Sequence, residues 1–466
     1  PVPLDVLAEL SRTPGAERAT RVTATLFGGR EVLQLRAGER TGLYGIALDL
    51  GTTSLVCFLC DLAADKIVAV RSAANPQTAY GEDVISRVAA VQRDASRLGE
   101  LQRLLVGAIN VLVADVAAQA QVDADDLVDV VAVGNPIMQH LLLGLNPLSL
   151  GQAPYLPLCR HGGEVSAASL GLAVYPGARV HLLPMLSGFI GADTLAALVT
   201  RPPDFFRGTN LLVDVGTNGE LVLSRDGVLT ATSCATGPVF EGAHIRSGMR
   251  ASPGAIEAVK VGEGGRLELS VIPNADGSRA KPAGLCGSGV ISAVSALVDA
   301  GILRPDGAFD LEGGHPGLRA EPDGSAAYFV LAPAARSHTG RDVVLGQWDV
   351  RAVQLGKAAL RAGVEILCRE AGVERLDGIY LAGTFGNYLN PVDLLRIGVL
   401  PPVEAEQIVA IGNAAGDGAR LALFSTAYRK RAAALAERIR VVELSMRADF
   451  QDVFVDSMEL GACAST

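Results

Sequence analysis

The sequence predicts an α/β protein made of two related lobes, and three observations carry that expectation. An apolar strand ends in an aspartate and a glycine–hydroxyl turn at YGIALDLGTTSLVCFLCDL (44–62), and the arrangement returns at NLLVDVGTNGELVLSRDG (210–227). The two aspartates, Asp49 and Asp214, are separated by about one domain's length of chain. A third strand-to-glycine junction follows at DGIYLAGTFGNYL (377–389).

Each element can be justified in turn. Residues 1–43 are polar and Arg-rich, with one strand pair, RVTATLFGG and REVLQLR, and are expected to be a linker. The first lobe is expected over 44–205. After its opening hairpin, Lys66–Ser72 suits a third strand, and Asp83 suits the cap of a helix through Val91. A long helical stretch, Gly99–Ala120, leads to a short strand, Asp129–Val133. That strand passes through Gly134-Asn135-Pro136 into a helix, a junction that aims backbone donors outward. Arg201-Pro202-Pro203 ends the helix begun near Gly191 and marks the interlobe boundary. The second lobe, 206–466, opens on its own hairpin and continues through GLCGSGVISAVSALVDAGIL, a turn feeding an amphipathic helix. Asp310–Asp342 is expected to be an excursion or a small hairpin, Asp349–Ala371 a helix, Pro401–Ile439 a last helical region and VVELS a final strand.

Composition bounds the partners. A chain of 466 residues suits two substantial domains; with 49% hydrophobic and 19% charged residues and 53 glycines it is globular. Fifty acidic against 40 basic side chains give a net charge of −10, which argues against a nucleic-acid partner. The apolar runs are short, none reaching the roughly 20 unbroken residues of a bilayer span, so no membrane partner is expected. The chain opens on Pro1, as expected of a piece of a longer product. Seven cysteines stand at 57, 60, 159, 234, 286, 368 and 463. Cys57 and Cys60 share a strand, where residues three apart point to opposite faces, so neither a metal site nor an iron–sulfur cluster is expected of them. The pattern favours a reducing compartment, hence the cytoplasm.

The turns themselves raise the chemistry. Reversing a chain takes only Asn-Gly or Asp-Gly. Gly51 instead lets backbone approach a ligand, and Thr52 and Thr53 add N–H groups and hydroxyls, a set that suits phosphate, with Asp49 placed to hold a metal ion or its water. GxGxxG and Walker-type sequences are both absent.

At this point a resemblance enters. DLGTTS (49–54), DVGTNGE (214–220), the helices after Gly134 and Gly287, and LAGTFGNYL (381–389) resemble the phosphate-1, phosphate-2, connect and adenosine motifs of the acetate kinase, sugar kinase, heat-shock 70 and actin superfamily. NPQTAYGEDVISR (75–87), GNPIMQHLLLG (134–144), VQLGKAAL (353–360) and FGNYLNPVDLLRIGVLP (385–401) are similar to the reductive activators of corrinoid proteins. The resemblance implies two ribonuclease-H-like lobes around a nucleotide cleft. It also implies an ATPase that helps return a corrinoid protein of a methyltransferase system from cobalt(II) to cobalt(I), as a homodimer, with a [2Fe-2S] cluster only in an N-terminal domain that this chain lacks. It places Mg2+ at Asp49 and Asp214, the phosphates at Gly51, Thr52, Thr53, Gly216, Thr217 and Asn218, and the adenosine along Gly383, Thr384 and Gly386 with Gly287 and Ser288 nearby. Glu220, Glu241 or Asn135 would orient the attacking water. A small-molecule kinase and a nucleotide-gated binding protein are the alternatives. His140, on an apolar helix face, reads as a satisfied core histidine, and Met138, Met185 and Met249 read as core.

Overall fold

In the computed structural model, the two repeated hairpins each sit in the middle of their own six-stranded sheet. The structure describes residues 2–12, 18–262, 266–321, 323–324, 326–383 and 389–461. Two compact units result: Pro1–Thr200 with Ala415–Ala436, and Arg201–Ala414 with Glu437–Thr466.

In the first unit, α1 (Leu4–Arg12) and a β1 (Val22–Phe27)–β2 (Glu31–Ala37) ribbon precede the sheet. Its strands are β3 (Tyr44–Leu50), β4 (Ser54–Asp61), β5 (Lys66–Ala74), β6 (Leu127–Gly134), β7 (Gly163–Ser166) and β8 (Arg179–Leu182). They lie in the order β5-β4-β3-β6-β8-β7. The β3–β5 meander is antiparallel, and β6 and β8 extend it in parallel from β3. Helices α2 (Val84–Arg93), α3 (Arg97–Ala120), α4 (Pro136–Leu143), α5 (Ala167–Leu170) and α6 (Ala192–Val199) complete the layers. Asp83 caps α2 as expected, its side chain accepting from the Ser86 N–H. By length and composition α3 could cross a membrane. Its Leu101, Leu105, Ile109, Leu112, Val113 and Val116 are instead buried in the core that includes Leu48, Leu55 and Leu59.

The second unit repeats the plan. Strands β9 (Thr209–Val215), β10 (Gly219–Arg225) and β11 (Val228–Cys234) form the meander, and β18 (Gly378–Ala382) and β19 (Ile408–Gly412) extend it in parallel. A short strand, β20 (Arg440–Val441), closes the far edge. The five-strand order β11-β10-β9-β18-β19 matches β5-β4-β3-β6-β8 strand for strand, the ribonuclease-H-like topology expected of both lobes. Between β11 and β18 the chain adds two small sheets, β12 (Ala255–Val261) with β13 (Leu267–Val271) and β14 (Gly284–Leu285), and β15 (Leu318–Ala320) with β16 (Ala327–Ala332) and β17 (Val343–Gly346). Helices α7 (Gly287–Asp299), α8 (Gln347–Ala371), α9 (Pro391–Arg396) and α12 (Phe450–Asp456) cover them and the main sheet.

Several readings change. The helical region expected over 401–439 contains β19, because Ile408–Gly412 pairs with β18 at the sheet edge. Of VVELS (441–445) only Val441 is strand, paired together with Arg440 to β11. Within 310–342, β15 and β16 form a small antiparallel hairpin, one of the two forms expected there, and β17 extends it to three strands. The described parts of the expected linker pack within the first unit: the Tyr175 hydroxyl donates to Glu9 and to the Leu33 carbonyl, and Arg36 and Arg179 pair with Asp126 and Glu31. Finally, α10 (Ala414–Phe424) and α11 (Thr426–Ala436) come from the sequence expected to form the second lobe, but from Ala415 onward they belong to the first unit. Gly418 explains part of this, since a methyl there would meet the Ala196 carbonyl at 2.2 Å; only glycine lets α10 approach α6 so closely.

Candidate functional site: two aspartate–glycine hairpins

In the first unit Asp49 ends the central strand, paired across to Val56 on β4 and Val133 on β6. A methyl on Gly51 would lie 2.4 Å from the Ser54 carbonyl, so the turn closes only around glycine. The carbonyls of the next residues are drawn to one side. Asn75 donates its side-chain amide to the Gly51 carbonyl (3.0 Å) and its N–H to that of Thr53 (2.9 Å), and Arg87 Nη2 donates to that of Thr52 (2.5 Å). Asn135 Nδ2 donates to the Thr52 hydroxyl at 3.0 Å, while its Oδ1 accepts the Met138 N–H as the N-cap of α4. Among the described residues, no protein acceptor takes the N–H groups of Thr52 and Thr53. Amides held this way, with their carbonyls tied back, suit an anion.

Arg87 is fully buried. Besides Thr52 it donates to Gln77 Oε1 (3.1 Å), the Gly81 carbonyl (3.2 Å) and the Met138 sulfur (3.1 Å). Burial lowers its pKa to about 10, against a weaker opposing pull from Asp83.

The second hairpin is built alike but dressed differently. Asp214 is the cross-strand partner of Glu220, so their side chains leave one face of the sheet side by side. Ser233, across from Glu220 on the other side, donates to it at 3.4 Å. The Gly216 N–H closes the turn on the Asn218 carbonyl (3.1 Å), and the Thr236 hydroxyl reaches the Gly216 and Thr217 carbonyls (3.1 and 2.9 Å). The Thr217 hydroxyl donates to Glu241 Oε1 at 2.5 Å. Ala382 lies beside Asp214 across the parallel β18–β9 pairing, and Gly383 follows with φ +92° and its N–H on the Gly412 carbonyl. The third motif thus meets the second at its aspartate. Thr384 and Gly386 lie outside the described residues.

Gly287 opens α7 so close to the Phe240–Glu241 turn that a methyl would sit 1.8 Å from the Phe240 carbonyl. Its helix follows β14 of a small sheet, whereas α4 follows β6 of the main one, so the two are not equivalent connecting helices as the sequence suggested. The Ser288 hydroxyl is used on the Glu257 carbonyl of β12 at 3.0 Å.

The remaining candidates are structural. His140 is buried, with Nδ1 2.7 Å from the Pro136 carbonyl and Nε2 accepting the Leu158 N–H at 3.1 Å; burial lowers its pKa. Met138 and Met185 are core. Cys57 and Cys60 are buried and their thiols are pushed up to about 12, chiefly by burial, so neither is a ready thiolate. Among the described residues no three His, Cys, Asp or Glu side chains converge as a metal site. Sequence reasoning missed Asn75, Arg87 and Thr236, the groups that hold the turns. The string 75–87 signalled the first two only as part of a resemblance.

Two family models match in succession: the "RACo middle region" over residues 44–202 and the "C-terminal domain of RACo the ASKHA domain" over 208–464. The chain belongs to the RACo family. Within that family it is similar to the corrinoid activation enzyme RamQ of Eubacterium limosum, 34% identical over 465 residues that cover 98% of this chain and 77% of RamQ. It is also similar to the [Co(II) methylated amine-specific corrinoid protein] reductase of Methanosarcina barkeri, 25% identical over 80% of this chain and 68% of that protein. Among solved structures, a reductive activator for corrinoid, iron-sulfur protein superposes with a TM-score of 0.85 at 29% identity, covering 100% of this chain and 74% of the other. The RACo assignment makes the chain an α/β protein of the actin-like ATPase superfamily, as the paired sheets indicate.

Proposed function

We propose that this chain is the ATP-using part of a reductive activator, returning the cobalt(II) form of a corrinoid protein in a methyltransferase system to cobalt(I). The observation that carries the reading is the pair of matching hairpins within a chain of which 98% aligns with 77% of a corrinoid activation enzyme. Gly51, Thr52 and Thr53, with Gly216, Thr217 and Asn218, take phosphate oxygens through N–H groups and hydroxyls. Gly383, with Thr384 and Gly386, runs along the adenosine, and Gly287 supports that side through its contact with the Phe240–Glu241 turn. Asp214 and Asp49 fit a hard cation held through its waters. Mg2+ supplies charge neutralisation on the phosphates.

The chain's own groups then divide the work. Asn135 is committed to Thr52 and to capping α4, and Glu241 to Thr217, so both position turns. Glu220 is the better candidate for orienting water. The cysteines described here do not fit a cluster, and no step is assigned to one in this chain. One electron from a separate low-potential donor makes cobalt(I). ATP provides free energy, where each 60 mV of uphill gap costs about 1.4 kcal/mol, by changing the complex with its partner.

Such coupling is reciprocal. Calorimetry should therefore show that a cobalt(II) corrinoid protein alters Mg-ATP affinity and that Mg-ATP alters corrinoid-protein affinity by the same factor. Affinities independent of each other would sink the reading. Light scattering tests the homodimer that the resemblance implies.

A further inference from the structure

The first hairpin is backed by a charge with no direct ion-pair partner, on which Asp83 acts only from a distance. Arg87 has no exposed surface, and among the described residues no carboxylate lies within ion-pair distance of its guanidinium. Its partners are two carbonyls, an amide oxygen and a thioether: Thr52, Gly81, Gln77 and Met138. Asp83, one turn earlier on the same helix, spends its carboxylate on the Ser86 N–H and hydroxyl. Gln77 is itself fixed, donating to the Leu101 carbonyl at 2.9 Å.

A neutral donor would satisfy the Thr52 carbonyl at far smaller desolvation cost. Keeping a full positive charge there makes sense if an anion completes the site from the other side of the turn, where the Thr52 and Thr53 N–H groups are open. We infer that Arg87 is a positioning residue that holds the 51–53 carbonyls inward and supplies the buried charge balanced by the nucleotide's polyphosphate. It touches the turn and not the nucleotide. This rests on the hairpin being the phosphate site, and it assigns the discrimination between nucleotides of different phosphate number to a residue behind that site.

The test separates charge from scaffolding. In Gln77→Glu the acceptor for Arg87 becomes a carboxylate that neutralises the guanidinium, at the cost of the Gln77–Leu101 hydrogen bond, so Gln77→Met, which loses that bond without adding charge, is its control; Arg87→Met removes the charge, and Arg87→Lys restores it without the fork. Calorimetric affinities for Mg-ATP, Mg-ADP, AMP and adenosine are measured beside thermal melting, with KM and kcat for ATP. The expected result for Q77E and R87M is a loss that grows with phosphate number, about tenfold or more for Mg-ATP, with adenosine within about twofold, KM raised more than kcat is lowered, and partial recovery in R87K. Wild-type Mg-ATP affinity in folded Q77E or R87M, or equal loss of ATP and adenosine, overturns the inference. Failure of the wild-type chain to bind Mg-ATP would instead overturn the site itself.

Discussion

A methyl group placed on Gly383 would lie 2.7 Å from Asp214 Oδ1 and 2.8 Å from the Val215 carbonyl. Gly383 also has φ +92°, which L side chains rarely adopt. The glycine of the third motif is therefore the wall against which the second motif's aspartate is set. Gly383→Ala should cost about 1–3 kcal/mol of stability and, by displacing the carboxylate, weaken Mg-ATP binding at least about tenfold. Calorimetry beside thermal melting checks both, and a folded G383A with unchanged affinity would separate the two motifs.

The Thr217–Glu241 hydrogen bond distinguishes a positioning role from that of a base. Glu241→Gln retains an oxygen that can accept from Thr217, so kcat should stay within about fivefold of wild type. Glu241→Ala should lower it about 10–100-fold, as should Thr217→Ala. If E241Q proves as poor as E241A, Glu241 acts through its charge and the assignment passes from Glu220 to it.

In the first unit, Arg429 of α11 pairs with Asp129 of β6 and also donates to the Ala422 carbonyl. Asp129 is buried deeply enough that desolvation raises its pKa despite Arg429. Removing only the cation strands a buried carboxylate. Arg429→Met should therefore destabilise by about 2–3 kcal/mol, below the full cost for a wholly buried pair, and adding Asp129→Leu should recover most of it. Thermal midpoints, with protease sensitivity between residues 425 and 437, report the outcome; equal loss in the single and double variants would contradict the pairing.

His140 gives a pH dependence with a definite sign. Its pKa is depressed in the fold, so near neutrality both folded and unfolded forms carry neutral imidazole. As pH falls below the ordinary value of about 6.5, the unfolded chain takes up the proton first. Stability held above that pH is then lost at up to about 1.4 kcal/mol per pH unit until the folded pKa is reached. His140→Gln should flatten this acid-side loss relative to wild type, measured as melting temperature between about pH 7.5 and 5.5. The same acidification should expose the 156–160 loop to proteases in wild type, because the Leu158 N–H loses its acceptor.

The hairpins were legible because an aspartate, a glycine and hydroxyls interrupt two apolar strands in the same order, a pattern that local chemistry alone makes conspicuous. Asp83 as a helix cap was legible for the same reason, whereas Asn135 was read for its place at a strand-to-helix junction and not as the cap of α4. Arg87 was not: an arginine on an amphipathic helix reads as solvent-facing, and only the packing of α2 under the 51–53 turn buries it. The placement of α10–α11 was equally hidden, since Gly418 against Ala196 and Arg429 against Asp129 are contacts between distant parts of the chain. Strand β19 was hidden as well, lying at a sheet edge with Val409 and Ala410 exposed and so lacking a buried run. Gly287 was read as a connecting-helix glycine from a local turn–helix pattern, which cannot report the sheet from which the helix departs.

The central claim is that nucleotide turnover in this chain is coupled to a corrinoid partner. ATP hydrolysis by the wild-type chain and by Asp214→Asn, measured with and without a cobalt(II) corrinoid protein, tests it most directly. The account predicts a wild-type rate that changes with the corrinoid protein in a saturable way and near-complete loss of turnover in D214N, with the fold retained. A wild-type rate identical with and without the partner over a wide concentration range, or full partner-dependent turnover in D214N, would contradict it.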